Sequence, residues 1–88
     1  IPVLEGSWRT QDGVVEIDLH QVQDQAYRFR LPIEIAIRMQ DGSESVHTLE
    51  MPESGSVRQS IPVDGEVAEV VMDPNTRLLA EWRFQRGD

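Results

Sequence analysis

Apolar and polar residues alternate along most of this chain, and this alternation predicts β-strands. The clearest case covers residues 28–39, where one parity is apolar and the other is largely charged. Such a strand places one face in a hydrophobic core and the other in water. The apolar parity consists of Phe29, Leu31, Ile33, Ile35, Ile37 and Met39, and the outward parity of Arg28, Arg30, Pro32, Glu34, Ala36 and Arg38.

Turn signals divide the rest of the chain into shorter strands. The pairs Asp12-Gly13, Asp41-Gly42 and Asp64-Gly65, together with the run Asp73-Pro74-Asn75-Thr76, are typical of tight turns. The strands predicted between these turns are 3–10, 15–20, 45–51, 57–63, 66–72 and 78–84. With 28–39 this makes seven strands and a turn about every 8–12 residues, which predicts an all-β fold: an immunoglobulin or fibronectin III-like antiparallel sandwich.

Three residues indicate how strand edges are protected. Pro32 and Pro62 cannot donate a backbone hydrogen bond, so each is expected at an edge, a strand end or a bulge. Arg38 is a charge on the outward parity of a long strand, and charged side chains commonly shield an exposed edge. We therefore expect these residues to lie where strands lack a neighbour.

Length sets the scale of the fold. With 88 residues the chain is expected to form one domain, residues 1–88, that buries about 60–65% of its unfolded surface. Such a core leaves no room for a deep cavity, so no small-molecule ligand is expected. Because the chain begins at Ile1 with no leader before it, we expect it to be excised from a larger multidomain protein.

Charge and cysteine content exclude several functions. A net charge of −8 would repel a phosphate backbone, so we expect no nucleic-acid partner. The chain contains no cysteine, which excludes disulfides and thiolate chemistry. Its apolar runs are far shorter than the roughly 20 residues of a spanning helix, so no membrane insertion is expected. A cytoplasmic and a periplasmic or extracellular location both remain open.

No residue pattern in the chain points to catalysis. The two histidines, His20 and His47, have no partner at metal-ligand spacing; His20 is expected in solvent and His47 half-buried at a sheet rim. No serine lies in a nucleophile elbow, and the 16 carboxylates fall on outward parities or in turns. The sequence therefore predicts no catalytic, cofactor-binding or metal-binding residue, and no cofactor.

The aromatic residues fall into two groups. Phe29, Trp82 and Phe84 lie on apolar parities and are expected in the core. Trp8 and Tyr27 have irregular flanks, and three roles stay open for them: packing, an anchor against a neighbouring domain, or a platform for a sugar ring.

The order of the motifs resembles the β-sandwich domain of the membrane alanyl aminopeptidase family of zinc peptidases. In that family a strand ending in L-x-Q-x-Q precedes F-x-[LI]-P-[IV]-x-[IV], and a V-x-x-D-P turn precedes a final strand with paired leucines. The matching segments here are 19–23, 29–35, 70–74 and Leu78-Leu79, in the same order. The resemblance covers most of the chain, and each motif by itself is only a strand with a turn.

The resemblance implies an accessory role. In that family this sandwich is a non-catalytic spacer that packs against the neighbouring domains of the same polypeptide. The family's H-E-x-x-H and G-x-M-E-N motifs do not occur here, so no zinc ligand or catalytic residue carries over. Three alternatives remain: a fibronectin- or cadherin-like interaction module, a carbohydrate-binding module, and, least supported, an enzyme in its own right.

Overall fold

The computed structural model describes residues 3–22, 30–78 and 80–87, and these residues form β-strands and turns without a helix. The predicted all-β class is confirmed, with seven strands in two sheets. The strands are β1 (Val3–Gln11), β2 (Val14–Gln21), β3 (Leu31–Met39), β4 (Glu44–Met51), β5 (Ser56–Pro62), β6 (Val67–Met72) and β7 (Glu81–Arg86).

The strands form a four-stranded sheet in the order β5-β2-β1-β7 and a three-stranded sheet in the order β4-β3-β6, here called the large and the small sheet. All pairings are antiparallel except that of β1 with β7, which is parallel. In an immunoglobulin constant domain the last strand joins the sheet of the third and sixth strands. Here β7 lies in the other sheet, next to the first strand.

The core lies between the two sheets and is built from one parity of each strand. The central strand of the small sheet contributes Ile33, Ile35 and Ile37, all fully buried, which confirms the predicted inward parity. The other buried members of this cluster are Leu4, Trp8, Val15, Ile17, Leu19, Leu49, Met51, Ile61, Val67 and Val70.

Two hairpin turns follow the predicted chemistry. The loop between β1 and β2 is Asp12-Gly13, with φ of 52° and 75°, as a two-residue type I′ hairpin requires. In the β3–β4 loop the Asp41 carboxylate accepts hydrogen bonds from the Ser43 hydroxyl at 2.6 Å and the Ser43 backbone N–H at 2.8 Å. These bonds, the hydroxyl first, lower the pKa of Asp41 below its ordinary value.

The two prolines lie where the sheets tolerate a missing donor. Pro62 ends β5, which is an edge strand. Pro32 lies on β3, whose pairing with β6 begins only at Ile35. The Asp73 N–H donates to the Glu34 carbonyl, and backbone groups two residues apart point the same way. The Pro32 nitrogen therefore points to the β6 side of β3, at a position where β6 is not paired with it. The expectation for both prolines is confirmed.

Three expectations about strand ends and edges need correction. Arg38 does not shield an edge, because β3 is the central strand and Arg38 instead bridges to both neighbours. The long strand begins at Leu31, so Arg30 precedes it, and positions 28 and 29 lie outside the described residues. The last strand begins at Glu81 rather than at position 78, although Leu78 and Ala80 still pack against the core.

Candidate functional site

The outer face of the small sheet is the candidate functional surface. On β3 it presents the residues that alternate with the buried isoleucines, and the strand register aligns them with outward residues of β4 and β6. Directly opposite residues on neighbouring strands share a face, so they form rows across the sheet. The outward residues are Pro32, Glu34, Ala36, Arg38, Glu44, Val46, Thr48, Glu50, Glu69 and Val71.

The central row of this face is apolar. Ala36 on β3 is opposite Val46 on β4 and Val71 on β6. Ala36 is fully buried, whereas Val46 is 51% exposed and Val71 is half-buried. Ala36 therefore departs from the largely wet outward parity expected for this strand. Its methyl group lies between two valines on the same face, and the three side chains form an apolar stripe across the sheet.

A charged row borders the stripe on one side. The Arg38 Nε lies 2.7 Å from a Glu44 carboxylate oxygen, and its Nη1 lies 2.8 Å from a Glu69 oxygen. The hydrogen bond to Glu44, which has the larger effect, and the hydrogen bond to Glu69 raise the pKa of Arg38 above its ordinary value. One guanidinium thus ties all three strands together at the surface.

A crevice of about 300 Å³ borders the stripe on the other side. Asp73 lines this crevice and is 7% exposed. Its carboxylate oxygens accept hydrogen bonds from the backbone N–H groups of Arg77 at 3.0 Å and Leu78 at 2.9 Å. The carbonyl of Asp73 closes the predicted turn by accepting from the Thr76 N–H at 3.0 Å. The residues that line the crevice are Pro32, Glu34, Thr48, Asp73, Arg77 and Leu78.

Asp73 holds this loop against backbone strain. Its φ is 48°, a left-handed conformation that is uncommon for a residue other than glycine. Strained conformations of this kind persist where surrounding contacts determine them, and here two backbone donors converge on the Asp73 carboxylate. The turn was predicted from Asp73-Pro74, but the burial of its carboxylate was not, because a turn acid is ordinarily solvated.

Glu34 carries an unusual oxygen into the crevice. Its Oε1 is buried and has no hydrogen-bond donor among the described residues. Arg77 Nε is 3.4 Å from this oxygen, close enough for an ion pair but without hydrogen-bond geometry. The Arg77 side chain is 71% exposed and that of Glu34 only 26%. A shielded acceptor thus lies beneath a largely solvated cation.

The outer face of the large sheet is different. Its ion pairs join Arg9 to Glu16 at 2.7 Å and Arg58 to Asp18 at 3.0 Å across neighbouring strands. Arg83 lies 3.7 Å from both Glu5 on β1 and Glu81 on its own strand. Val22, directly after β2 with its N–H bonded to the Val3 carbonyl, is 41% exposed, and the rest of the described face exposes no large apolar side chain. Exposed ion pairs of this kind contribute about 0–1 kcal/mol each and keep a surface solvated.

The two histidines lie on different sheets. His20 is on the outer face of the large sheet with its Nε2 3.7 Å from a Glu5 carboxylate oxygen, and its side chain is 44% exposed. His47 is half-buried, as predicted, and its Nε2 lies 3.0 Å from the Ser45 hydroxyl. Within residues 3–22, 30–78 and 80–87, no three His, Asp or Glu side chains lie close enough to hold a metal ion.

The aromatic residues of the described chain belong to the inner faces. Trp8 is 5% exposed, and the Arg86 guanidinium lies 4.8 Å from its ring centroid. Trp82 and Phe84 are half-buried and pack against the core, as predicted. Tyr27 and Phe29 lie outside the described residues. Trp8 is therefore a packing residue and not a platform for a sugar ring.

The described part of the chain has no helix that is long and apolar enough to cross a membrane. No protein-family model matches the chain, and a comparison with curated proteins finds no match either.

Proposed function

We propose that this chain is a non-catalytic accessory domain of a zinc aminopeptidase-like protein, and that it holds neighbouring domains of the same polypeptide in register. The proposal rests on the order of the sequence motifs that resemble the sandwich domain of that family. The observation that carries it is that the described residues of these motifs stabilise the strand ends and turns of this fold.

The motif residues stabilise strand ends and turns. Gln21, in the L-x-Q-x-Q segment, is 1% exposed, and its backbone N–H donates to the Gly55 carbonyl at 2.7 Å. Pro32 lies where β3 has no neighbour on one side, and Asp73 organises the loop that leads to β7. In a spacer domain, the characteristic sequence motifs are expected to stabilise the fold and not to form a reactive site.

The outer face of the small sheet gives this domain a surface for packing. It combines an apolar stripe, exposed at Val46 and partly exposed at Val71, with a polar rim, and interfaces between proteins and between domains have this arrangement. The same surface also suits an interaction module of the fibronectin or cadherin type, so that alternative keeps its place. The carbohydrate-binding alternative loses support, because Trp8 is buried.

The reading frame on both sides of the chain tests the proposal. We expect an upstream H-E-x-x-H and a glutamate on a following helix, the ligand set of a zinc aminopeptidase. The same layout without those ligands would leave the spacer role and remove the peptidase. Tandem copies of similar sandwiches would contradict the proposal and favour an adhesion module.

An activity assay provides an independent test. The purified chain is expected not to hydrolyse aminoacyl p-nitroanilides, whereas the full-length parent is expected to do so. Hydrolysis that follows the isolated chain through successive purification steps would overturn the accessory role. Treating the active fractions with a chelator would then distinguish a zinc enzyme from another hydrolase.

A further inference from the structure

We propose that the outer face of the small sheet docks a partner segment that inserts an arginine or lysine side chain into the Glu34 crevice and packs apolar side chains on the stripe of Val46, Ala36 and Val71. This inference deepens the proposed packing role and rests on it. It identifies the docking face and the chemistry of the docked surface.

The first argument is charge complementarity. The carboxylates on this face are those of Glu34, Glu44, Glu50 and Glu69, whereas its guanidinium groups are those of Arg38 and Arg77. Arg38 is already bonded to two of the carboxylates. Four glutamates against two arginines leave the face with an excess of negative charge, and the Asp73 carboxylate adds to it in the crevice. This excess favours a cationic partner.

The second argument is the buried oxygen of Glu34. A carboxylate oxygen shielded from water and lacking a donor is unfavourable, and a well-aligned N–H group would satisfy it. Arg77 lies close to it without hydrogen-bond geometry, and its largely exposed side chain is free to move aside. An incoming guanidinium or ammonium group supplies the missing donor with little rearrangement of the fold.

The third argument is the size of the face. β3 has nine residues, so the face is about 30 Å long, and it is three strands or about 14 Å wide where β6 pairs with β3, from Ile35 to Met39. Covering about 400 Å² on each partner buries about 800 Å² in total. This lies within the roughly 600–1,500 Å² of contacts between domains. The stripe and the crevice are adjacent on this face, so one extended segment reaches both.

A peptide titration followed by amide NMR tests the proposal. The probe is acetyl-Leu-Arg-Leu-amide, and its control is the same peptide with citrulline, which has the shape of arginine without the charge. We expect saturable shifts at the amides of Glu34, Thr48 and Leu78, with at least about tenfold weaker binding of the citrulline peptide. Equal binding of both peptides, or shifts confined to the large sheet, would overturn the proposal.

Three variants assign the effect to the crevice. Glu34→Gln removes the charge and is expected to reduce arginine-peptide binding at least about tenfold. Thr48→Lys places a cation at the exposed rim of the crevice without altering a buried group. It is also expected to weaken arginine-peptide binding, and it replaces Glu34→Gln as the test if that variant disturbs the fold. Glu16→Gln, on the opposite face, is the matched control and is expected to bind as the unaltered chain does.

The outcome is separable from that of the aminopeptidase assignment. If the peptide fails to bind but the reading frame contains the zinc motif, the accessory role stands and the docking face is wrong. If the peptide binds at the crevice but the frame encodes tandem sandwiches, the docking face stands and the family assignment is wrong.

Discussion

The two outer faces of this sandwich are built from the same alternating strands but have different surfaces. On the large sheet, arginines on β1, β5 and β7 pair with carboxylates on the same or neighbouring strands. On the small sheet, the middle row is apolar, and the charges lie on either side of it. Both faces follow the period-two rule, yet only one resembles an interface.

The difference comes from a few positions. Ala36 on the outward parity of the central strand lies between Val46 and Val71 and makes the middle row apolar, where a charged residue at that position would interrupt it. Asp73 turns the chain back over the end of the same sheet and forms the crevice. The proposed docking face thus depends on one small residue and one buried turn acid, without a change of topology.

The comparison depends first on which side of β3 faces outward, and Ile35→Asp tests this with the largest expected effect. Ile35 is fully buried between the sheets, so an aspartate there places an unpaired charge in the core. We expect a loss of at least about 4 kcal/mol, comparable to the whole stability of a domain of this size. Circular dichroism and urea unfolding should show an unfolded chain.

Val46→Asp is the matched control for that substitution. It introduces the same charge on the same sheet, but at an outward position that is 51% exposed. We expect a change of less than about 1 kcal/mol in the free energy of unfolding. If Ile35→Asp and Val46→Asp destabilised the chain equally, the assignment of inner and outer faces would be wrong.

Much of the fold was predictable because its signals are local. Alternation gives the face of each residue in β3, and Asp12-Gly13 gives the first hairpin, since both of its residues adopt the positive φ that this turn requires. The pairing of β7 with β1 was not predictable in this way. Those strands lie at opposite ends of the sequence, and no connecting turn specifies which sheet the last strand joins.

The candidate site was harder to predict than the fold. The sequence singles out Asp73 as a turn residue, but its burial depends on where Arg77 and Leu78 place their N–H groups. The shielded oxygen of Glu34 likewise depends on the return of the loop over β3. The Asp73 contacts are local but depend on the exact path of the loop, whereas the Glu34 contact joins residues far apart in sequence. Alternation predicts only that Glu34 points away from the core.

Substitution of Asp73 sharpens the comparison by removing the support of the crevice. Asp73→Ala deletes the acceptor of two N–H groups at a buried, strained position, and we expect a loss of about 3 kcal/mol. Asp73→Asn keeps one acceptor oxygen and tolerates a positive φ, so its loss should be about half as large. Urea unfolding measures both values, and NMR should show that Asp73→Ala no longer binds the arginine peptide.

Asp64→Ala is the control for the Asp73 series. Asp64 also lies in a turn, but it is exposed, and a change within about 0.5 kcal/mol is expected. A comparable loss for Asp64→Ala and Asp73→Ala would mean that the Asp73 carboxylate has no special part in holding the loop.

The smallest expected effect separates the ion pairs of the two faces. Arg38→Ala removes contacts to two carboxylates on separate strands, whereas Arg58→Ala removes a contact to one, Asp18. A guanidinium fixed at both ends loses less freedom for each bond it makes than one in a single exposed pair. At low salt, we therefore expect Arg38→Ala to lower the urea midpoint more than Arg58→Ala. In about 1 M NaCl, where the Debye length is about 3 Å, the two midpoints should converge.

Equal shifts at low salt would mean that the charged row of the small sheet is no more cohesive than the ion pairs of the large sheet. The contrast between the described parts of the two faces would then depend on the apolar stripe and on the shielded oxygen of Glu34.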